Sequence, residues 1–277
     1  MKNYIIAAAC ALLFSSLLVC SCNKADNNEG KEQEQQQEQT VSRGKIRIIP
    51  TLTKVTDNRF ENGDAIGVNI VLPSGAYVTN VKMVYDGSAF PSDLEWYDGT
   101  DASVFTGWYP YSSAVPSTFS VQTDQSAGLS ASDFVAGTLT GVTPTTDAII
   151  MPFSHRMSRL EIKLANNTGK VLSDLRVGGI VPQATLSDQF VALAAENASK
   201  VEITPWAYSS EKYYLLLPPQ ITSLTVKFKL SGNAREYSIP SADFGPGIQN
   251  TIEITENSVK LTGVIVGWDG YDLGTAE

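Results

Sequence analysis

The stretch "SLTVKFKLSG", Ser223–Gly232, alternates apolar and polar side chains more regularly than any other part of the chain. Successive side chains of a β-strand point to opposite faces, so one face of this stretch carries only apolar groups: Leu224, Val226, Phe228 and Leu230. A period of two over eight residues predicts a strand with one buried face and one solvated face. The glycine that ends the stretch favours a turn.

The same period recurs along most of the chain. About fourteen short runs, separated by turn signals every 8–12 residues or so, predict an all-β protein built of sandwiches. The clearest runs are Lys45–Val55, Ala65–Leu72, Asn80–Asp86, Leu94–Asp98, Ser103–Tyr111, Ile149–Asn166, Leu172–Val181, Lys212–Pro219, Arg235–Pro240 and Asn250–Trp268. Ala131–Thr138 fits a short strand or a helical turn, and only Leu186–Ala198 suggests a helix.

The folded part is long enough for two ordinary domains, each able to bury a core. A Thr- and Pro-rich loop precedes the run that starts at Ile149, so we place a domain border near residue 150. The prediction is an N-terminal β-sandwich at 45–150 and a C-terminal β-sandwich at 151–277.

All three cysteines, Cys10, Cys20 and Cys22, lie in the first 22 residues. A basic head and the apolar run Tyr4–Val19 form a secretory signal pattern, and the run is short for a membrane-spanning helix. Val19-Cys20-Ser21-Cys22 resembles the lipobox of bacterial lipoproteins. We therefore expect residues 1–21 to be a signal peptide and Cys22 to carry lipid that holds the protein on a membrane. Ordinary cleavage nearby, releasing a free protein, is the alternative.

Residues 22–44 are predicted to be a disordered tether. Asn23–Thr40, "NKADNNEGKEQEQQQEQT", contains no apolar side chain larger than alanine, so it cannot offset its chain entropy by burial. A helix rich in Gln and Glu is the alternative, but it would have no apolar face.

Composition excludes several classes of function. The formal net charge of -9 argues against binding to nucleic acid or, by charge, to anionic membranes. With no cysteine after Cys22, thiol catalysis and thiolate metal sites are excluded from the folded part. The only histidine, His155, has no catalytic motif around it, and we assign it a structural role. We predict no enzyme activity, no cofactor and no metal.

One alternative function remains open. Trp96, Tyr97 and Trp108 are near Asp98 and Asp101, and aromatic side chains with nearby acids are typical of sugar-binding platforms. The alternative is a monomeric surface lipoprotein that binds a glycan or a host molecule. A carboxylate pair that hydrolyses glycosides is a weaker version of the same idea, because Asp-Gly turns produce such acids for turn reasons alone.

Four stretches together resemble the fimbrillin family of Gram-negative anaerobes. They are "TDNRFENGDAIGV" (Thr56–Val68), "FTGWYPY" (Phe105–Tyr111), "MPFSHRMSRLEIKL" (Met151–Leu164) and "VIVGWDG" (Val264–Gly270). The resemblance implies two tandem transthyretin-like antiparallel β-sandwiches without enzyme activity. It also implies a fimbrial (pilus) subunit or anchor, lipid-anchored in the cell outer membrane and involved in cell adhesion.

The resemblance further implies an assembly mechanism. A trypsin-like protease removes the leader and first strand, and a strand from another subunit fills the groove. The leaving strand here would be Lys45–Val55, cut after Arg59 or, as second candidate, Lys54. Arg59 as a plain loop residue is the alternative. The donated strand would be Ser258–Trp268. Whether the chain is a stalk, anchor or tip subunit stays open at this point.

Overall fold

The computed structural model describes residues 44–51, 59–165 and 169–266, and all of them belong to one compact unit, Ser42–Glu277. The fold is almost entirely β, as predicted. Cys22 and Lys54 lie outside the described residues. Within the described ranges, no helix has the length and apolarity needed to cross a bilayer.

Twenty strands and one short 3-10 helix follow one another along the described chain. The first ten strands are β1 (Lys45–Thr51), β2 (Ala65–Leu72), β3 (Gly75–Val84), β4 (Phe90–Glu95), β5 (Ser103–Tyr109), β6 (Thr118–Ser120), β7 (Val135–Val142), β8 (Ile149–Pro152), β9 (Ser154–His155) and β10 (Ser158–Leu164). The others are β11 (Leu172–Ile180), β12 (Gln183–Leu186), β13 (Ala192–Ala194), β14 (Val201–Ile203), β15 (Trp206–Ala207), β16 (Lys212–Leu217), β17 (Gln220–Leu230), β18 (Asn233–Phe244), β19 (Ile248–Ile254) and β20 (Val259–Val266).

These strands form five sheets. Their orders are β4-β1-β8, β3-β2-β5-β7-β9, β13-β12-β6, β14-β11-β17-β18 and β15-β16-β10-β19-β20. Most ladders are antiparallel, but β1 runs parallel to β8, and β10 runs parallel to β19. The two parallel ladders depart from the antiparallel sandwiches that the sequence predicted.

Two hydrophobic clusters fill the spaces between the sheets. Strand β17 shows the predicted alternation, since Leu224, Val226, Phe228 and Leu230 are all buried in one cluster. Ile46 and Ile48 of β1 are buried in the other cluster, with side chains from β2, β4, β5 and β8.

The chain crosses between the two clusters more than once. Trp108 of β5 packs on Phe190 in the C-terminal half, with ring centroids 4.8 Å apart. Strand β6 pairs with β12, whereas β8, next to the predicted border, pairs with β1. A border at residue 150 therefore does not separate the residues of the two clusters, and the two-domain division stays a prediction.

The predicted helix at Leu186–Ala198 is wrong. Leu186 pairs with Ala192 in an antiparallel ladder, and a tight turn joins them. Phe190 has φ of 56° in that turn, outside the helical region, and its ring is buried. Tertiary burial of one aromatic ring thus overrides the helical propensity of the stretch. The stretch Ala131–Thr138 divides between a 3-10 helix, Ser130–Ser132, and the start of β7.

Candidate subunit interface around strand β1

Strand β1 is the middle strand of its sheet, although it stands first in the described chain. It pairs antiparallel with β4, where Ile48 lies opposite Phe90, and parallel with β8, where Ile48 lies opposite Ile149. A strand between two partners forms hydrogen bonds with the main-chain N–H and C=O groups of both. Removing β1 would therefore leave two sheet edges facing each other across an empty strand position.

Additional hydrogen bonds hold the main chain of β1. The amide of Trp96 donates to the carbonyl of Gly44 over 3.2 Å, and the amide of Phe153 donates to the carbonyl of Thr51 over 2.9 Å. The hydroxyl of Ser92 donates to the carbonyl of Ile46 over 2.7 Å. Every one of these donors belongs to the chain that follows β1, so they would remain to receive another strand.

From Lys45 to Ile49, the side chains of β1 alternate between solvent and the hydrophobic core. Ile46 and Ile48 are 0% exposed, whereas Lys45, Arg47 and Ile49 face solvent. This alternation confirms, over Lys45–Ile49, the period of two that the sequence predicted for the run Lys45–Val55. Strand β1 is described as far as Thr51, and residues 52–55 of the predicted Lys45–Val55 lie outside the described residues.

Phe60 belongs to the hydrophobic cluster that contains Ile46 and Ile48 of β1; the members of this cluster outside β1 are called the apolar floor. The ring of Phe60 is 4% exposed and packs edge-on against Phe90 and Phe153, with centroids 5.0 and 5.6 Å away. Arg59, the residue just before it, is exposed. A cut after Arg59 would leave a chain that starts at a residue anchored in the core. Phe60 was not predicted as a site residue, although an aromatic residue directly before the turn sequence "ENGD" indicates a buried position at the start of the following strand region.

Strand β1 occupies a groove between β4 and β8, and the β4 side of this groove carries acidic side chains. The ammonium of Lys45 donates to Asp93 over 2.6 Å, and a guanidinium nitrogen of Arg47 donates to Ser88 over 2.9 Å and lies 3.9 Å from Asp86. The hydrogen bond and the charge of Lys45 lower the pKa of Asp93. Hydrogen bonds from the Ala89 amide and from Ser88 lower the pKa of Asp86 to about 2.

The predicted aromatic platform does not form. Trp96, Tyr97 and Trp108 are 2%, 6% and 0% exposed, so none of them offers a ring face to a ligand. Trp96 and Tyr97 pack in the cluster around β1, while Trp108 packs in the other cluster. The physical reason is burial: these rings are large enough to fill the cores of small sandwiches.

Asp98 and Asp101, the two acids near these rings, lie in an exposed loop. The hydroxyl of Tyr97 donates to the main-chain carbonyl of Asp101 over 2.5 Å and also lies 3.1 Å from the main-chain carbonyl of Val142. Asp98 and Asp101 are themselves exposed beside the Gly99 turn, where φ is 107°. This arrangement fits the turn chemistry that the sequence offered as the plainer interpretation of these two acids.

His155 lies deep in the structure. Its Nδ1 is 2.8 Å from Asp133 Oδ1, and both side chains are 0% exposed, so a substrate could not reach either group. In the part of the chain that the structure describes, no three His, Cys, Asp or Glu side chains come close enough to hold a metal ion. Asp133 was not predicted as a partner, because the two residues are distant in sequence.

Residues 259–266 of the predicted donor segment, Ser258–Trp268, form β20, the edge strand of its sheet, and residues 267–268 lie outside the described residues. Strand β20 pairs antiparallel with β19, and the ladder runs from Ile254 opposite Val259 to Ile248 opposite Val266. Val259 is buried in the core, whereas Val264 is 57% exposed. In this structure, therefore, the C-terminal strand is paired within its own chain.

The sequence profile of the fimbrillin-like family matches residues 53–268. The match covers well over half of the chain, and this chain belongs to the fimbrillin-like family. No curated protein matches the sequence at a significant level.

Solved structures show the same fold at low sequence identity. A candidate cell-adhesion protein from Bacteroides uniformis superposes with a TM-score of 0.65 at 18% identity, over 82% of this chain and 99% of that one. A candidate cell-adhesion protein from Bacteroides ovatus also reaches 0.65, at 16% identity, over 80% and 97%. The tip fimbrial protein Mfa3 from Porphyromonas gingivalis, truncated at its C-terminus, reaches 0.51 at 7% identity, over 79% and 97%.

Proposed function

We propose that this chain is a structural subunit of a cell-surface fimbria, with a role in adhesion, and that it accepts a strand from another subunit in place of β1. Family membership supports the fimbrial role. The observation that carries the mechanism is the position of β1: it is the first described strand, yet it lies between two other strands with Ile46 and Ile48 fully buried.

The exchange follows from the main-chain bonding of β1. Cleavage after Arg59 or Lys54 by a trypsin-like protease would cut the covalent link between β1 and the rest of the chain. A departing β1 exposes unpaired main-chain groups on β4 and β8, together with apolar floor residues such as Phe60 and Phe90. An incoming strand restores the main-chain hydrogen bonds and buries the floor again. A contact of this head-to-tail kind extends into a filament.

The C-terminal strand of a second copy fits the donor role by its pattern of apolar and basic residues. Ser258–Gly263, "SVKLTG", repeats the pattern of Lys45–Pro50, "KIRIIP": apolar residues second and fourth, a basic residue third and a strand breaker sixth. Donation would require β20 to leave β19 first, because the two are paired here.

Delivery to the cell surface is part of the proposal. Lipid on Cys22 would hold the newly exported chain on the outer membrane, and proteolysis would release it for assembly. In an anchor subunit, by contrast, both the lipid and β1 would be kept.

Limited trypsin digestion of the purified chain tests the mechanism. We expect a stable fragment that starts just after Arg59 or Lys54 by N-terminal sequencing, followed by oligomers on size-exclusion chromatography. The variant with Arg59→Ala and Lys54→Ala should resist this cut and stay monomeric, while Arg235→Ala, at an exposed arginine of β18, should behave as wild type. A fragment that stays monomeric would contradict strand exchange.

A further inference from the structure

We propose that the β1 groove selects its incoming strand by charge as well as by shape. The strand it takes belongs to another chain and carries apolar residues at alternate positions with basic residues between them. This inference rests on the proposed strand exchange and identifies the chemistry of the partner segment.

The two sides of the groove differ in charge. Asp86, Asp93 and Glu95 lie along the β4 side, where the resident strand meets them with Lys45 and Arg47. The β8 side, Ile149–Pro152, has the sequence "IIMP" and carries no charge. Basic side chains on an incoming strand therefore find partners on one side only, which favours one strand direction and register.

The acid nearest Arg47 is held in place without help from β1. The carboxylate of Asp86 accepts hydrogen bonds from the amides of Ser88 and Ala89 and from the hydroxyl of Ser88, each over 2.8 Å. These bonds would survive the departure of β1, since all three donors lie in the turn before β4. With a pKa of about 2, the carboxylate of Asp86 is charged at neutral pH.

The side chains of Asp86 and Asp93 are both exposed to solvent, and this exposure limits how strongly they can favour a basic strand. An exposed ion pair contributes little by itself, and charges at the rim of an interface act mainly on the association rate and its salt dependence. For a strand with two basic residues, we expect about a threefold to tenfold preference over its neutral counterpart at low salt.

A competition between two peptides tests the inference on the full chain. Residues 52–58 are replaced by the recognition sequence of a site-specific protease, so that cutting leaves β1 held only by non-covalent contacts. One labelled peptide has the sequence of residues 44–51, "GKIRIIPT", and the other carries the changes Lys45→Gln and Arg47→Gln. The ratio of the two bound peptides is measured at about 0.01 M and about 1 M salt, where the Debye length is about 30 Å and about 3 Å.

We expect the charged peptide to be preferred threefold to tenfold at about 0.01 M salt and the preference to disappear at about 1 M. The acceptor with Asp86→Asn and Asp93→Asn should lose most of the preference at about 0.01 M salt, because only Glu95 then remains opposite Lys45, whereas Glu196→Gln, at an exposed acid in the C-terminal half, should keep the wild-type preference. Because the wild-type acceptor alone compares the two peptides, the test does not depend on the folding of the double variant.

The outcomes separate the two proposals. Equal binding of both peptides to the wild-type acceptor at low salt overturns charge selection and leaves strand exchange standing. If neither peptide enters after the cut, strand exchange itself is refuted, and charge selection falls with it.

Discussion

Ile48 of β1 and Phe90 of β4 lie directly opposite each other in the antiparallel register, and both side chains are fully buried. The contact joins the first strand of the described chain to a sheet whose other members come 40 or more positions later. Because the link is made by packing and main-chain pairing, an equivalent strand from another molecule can make the same contacts.

Replacing Ile48 by alanine should lower the free energy of unfolding by about 2–4 kcal/mol, because buried Ile-to-Ala changes lose transfer energy and leave a cavity. Ile49→Ala is the matched control, since Ile49 is 38% exposed and points to the opposite face of the strand. Its effect should stay within about 0.5 kcal/mol. Urea unfolding followed by tryptophan fluorescence measures both, and equal losses would show that β1 is not packed as described.

Asp133 and His155 should behave as one coupled unit. Either Asp133→Ala or His155→Ala is expected to cost about 3 kcal/mol, because the remaining partner stays buried without its counterpart. The double variant should then lose less than the sum of the two single losses. Thermal and urea unfolding of the four proteins gives the coupling energy, and strictly additive losses would argue against a bonded pair.

Gly67 is predicted to tolerate no larger residue. A Cβ added there would lie 2.3 Å from Trp108 Cζ2, and Trp108 cannot move because its ring is fully buried. Gly67→Ala should therefore destabilise the protein by about 1–3 kcal/mol through overpacking. Gly263→Ala on β20 is the control, because its nearest side-chain atom, on Thr251, would be 3.9 Å away. A neutral Gly67→Ala, measured by urea unfolding, would contradict this packing.

The acid limb of the stability profile should depend on Asp86. Its pKa of about 2 is below the ordinary aspartate value, so its carboxylate stabilises the folded state above about pH 4. That contribution is lost as the pH falls from about 4 to about 2. In Asp86→Asn, the melting temperature should therefore decline less steeply across this window than in wild type or in Glu196→Gln. Parallel profiles for all three proteins would refute this assignment.

Cys22 should be the lipidated residue. In cells, Cys22→Ser is expected to abolish acyl labelling and to move the protein out of the outer-membrane fraction. Cys20→Ser is the matched control, because serine is a more usual residue at that lipobox position. Membrane attachment and labelling that survive Cys22→Ser would remove the lipid anchor from the proposal.

The strands were predictable because their signal is local. Ala65–Leu72 has the predicted bounds, and β5 starts at the predicted Ser103 and ends at Tyr109, two residues before the predicted end of its run. Burial follows the predicted alternation in β1 and β17. In each case a period of two within one short segment carries the information.

The candidate site was less predictable because it depends on distant pairing. No local pattern indicates that β1 pairs parallel with β8, about 100 positions later, or that Asp86 and Asp93 would face Arg47 and Lys45. The prediction of an aromatic platform was wrong for a related reason. Trp96 and Trp108 are residue types common in ligand sites, but the packing of whole sheets decides whether they are buried.

The most direct measurement is the identity of the strand between β4 and β8 in assembled fimbriae, read from a high-resolution electron cryo-microscopy map of filaments isolated from cells. The account predicts that this strand comes from a neighbouring subunit and makes main-chain hydrogen bonds to both β4 and β8. Residues 45–51 of the same chain still occupying that position would contradict strand exchange by this subunit.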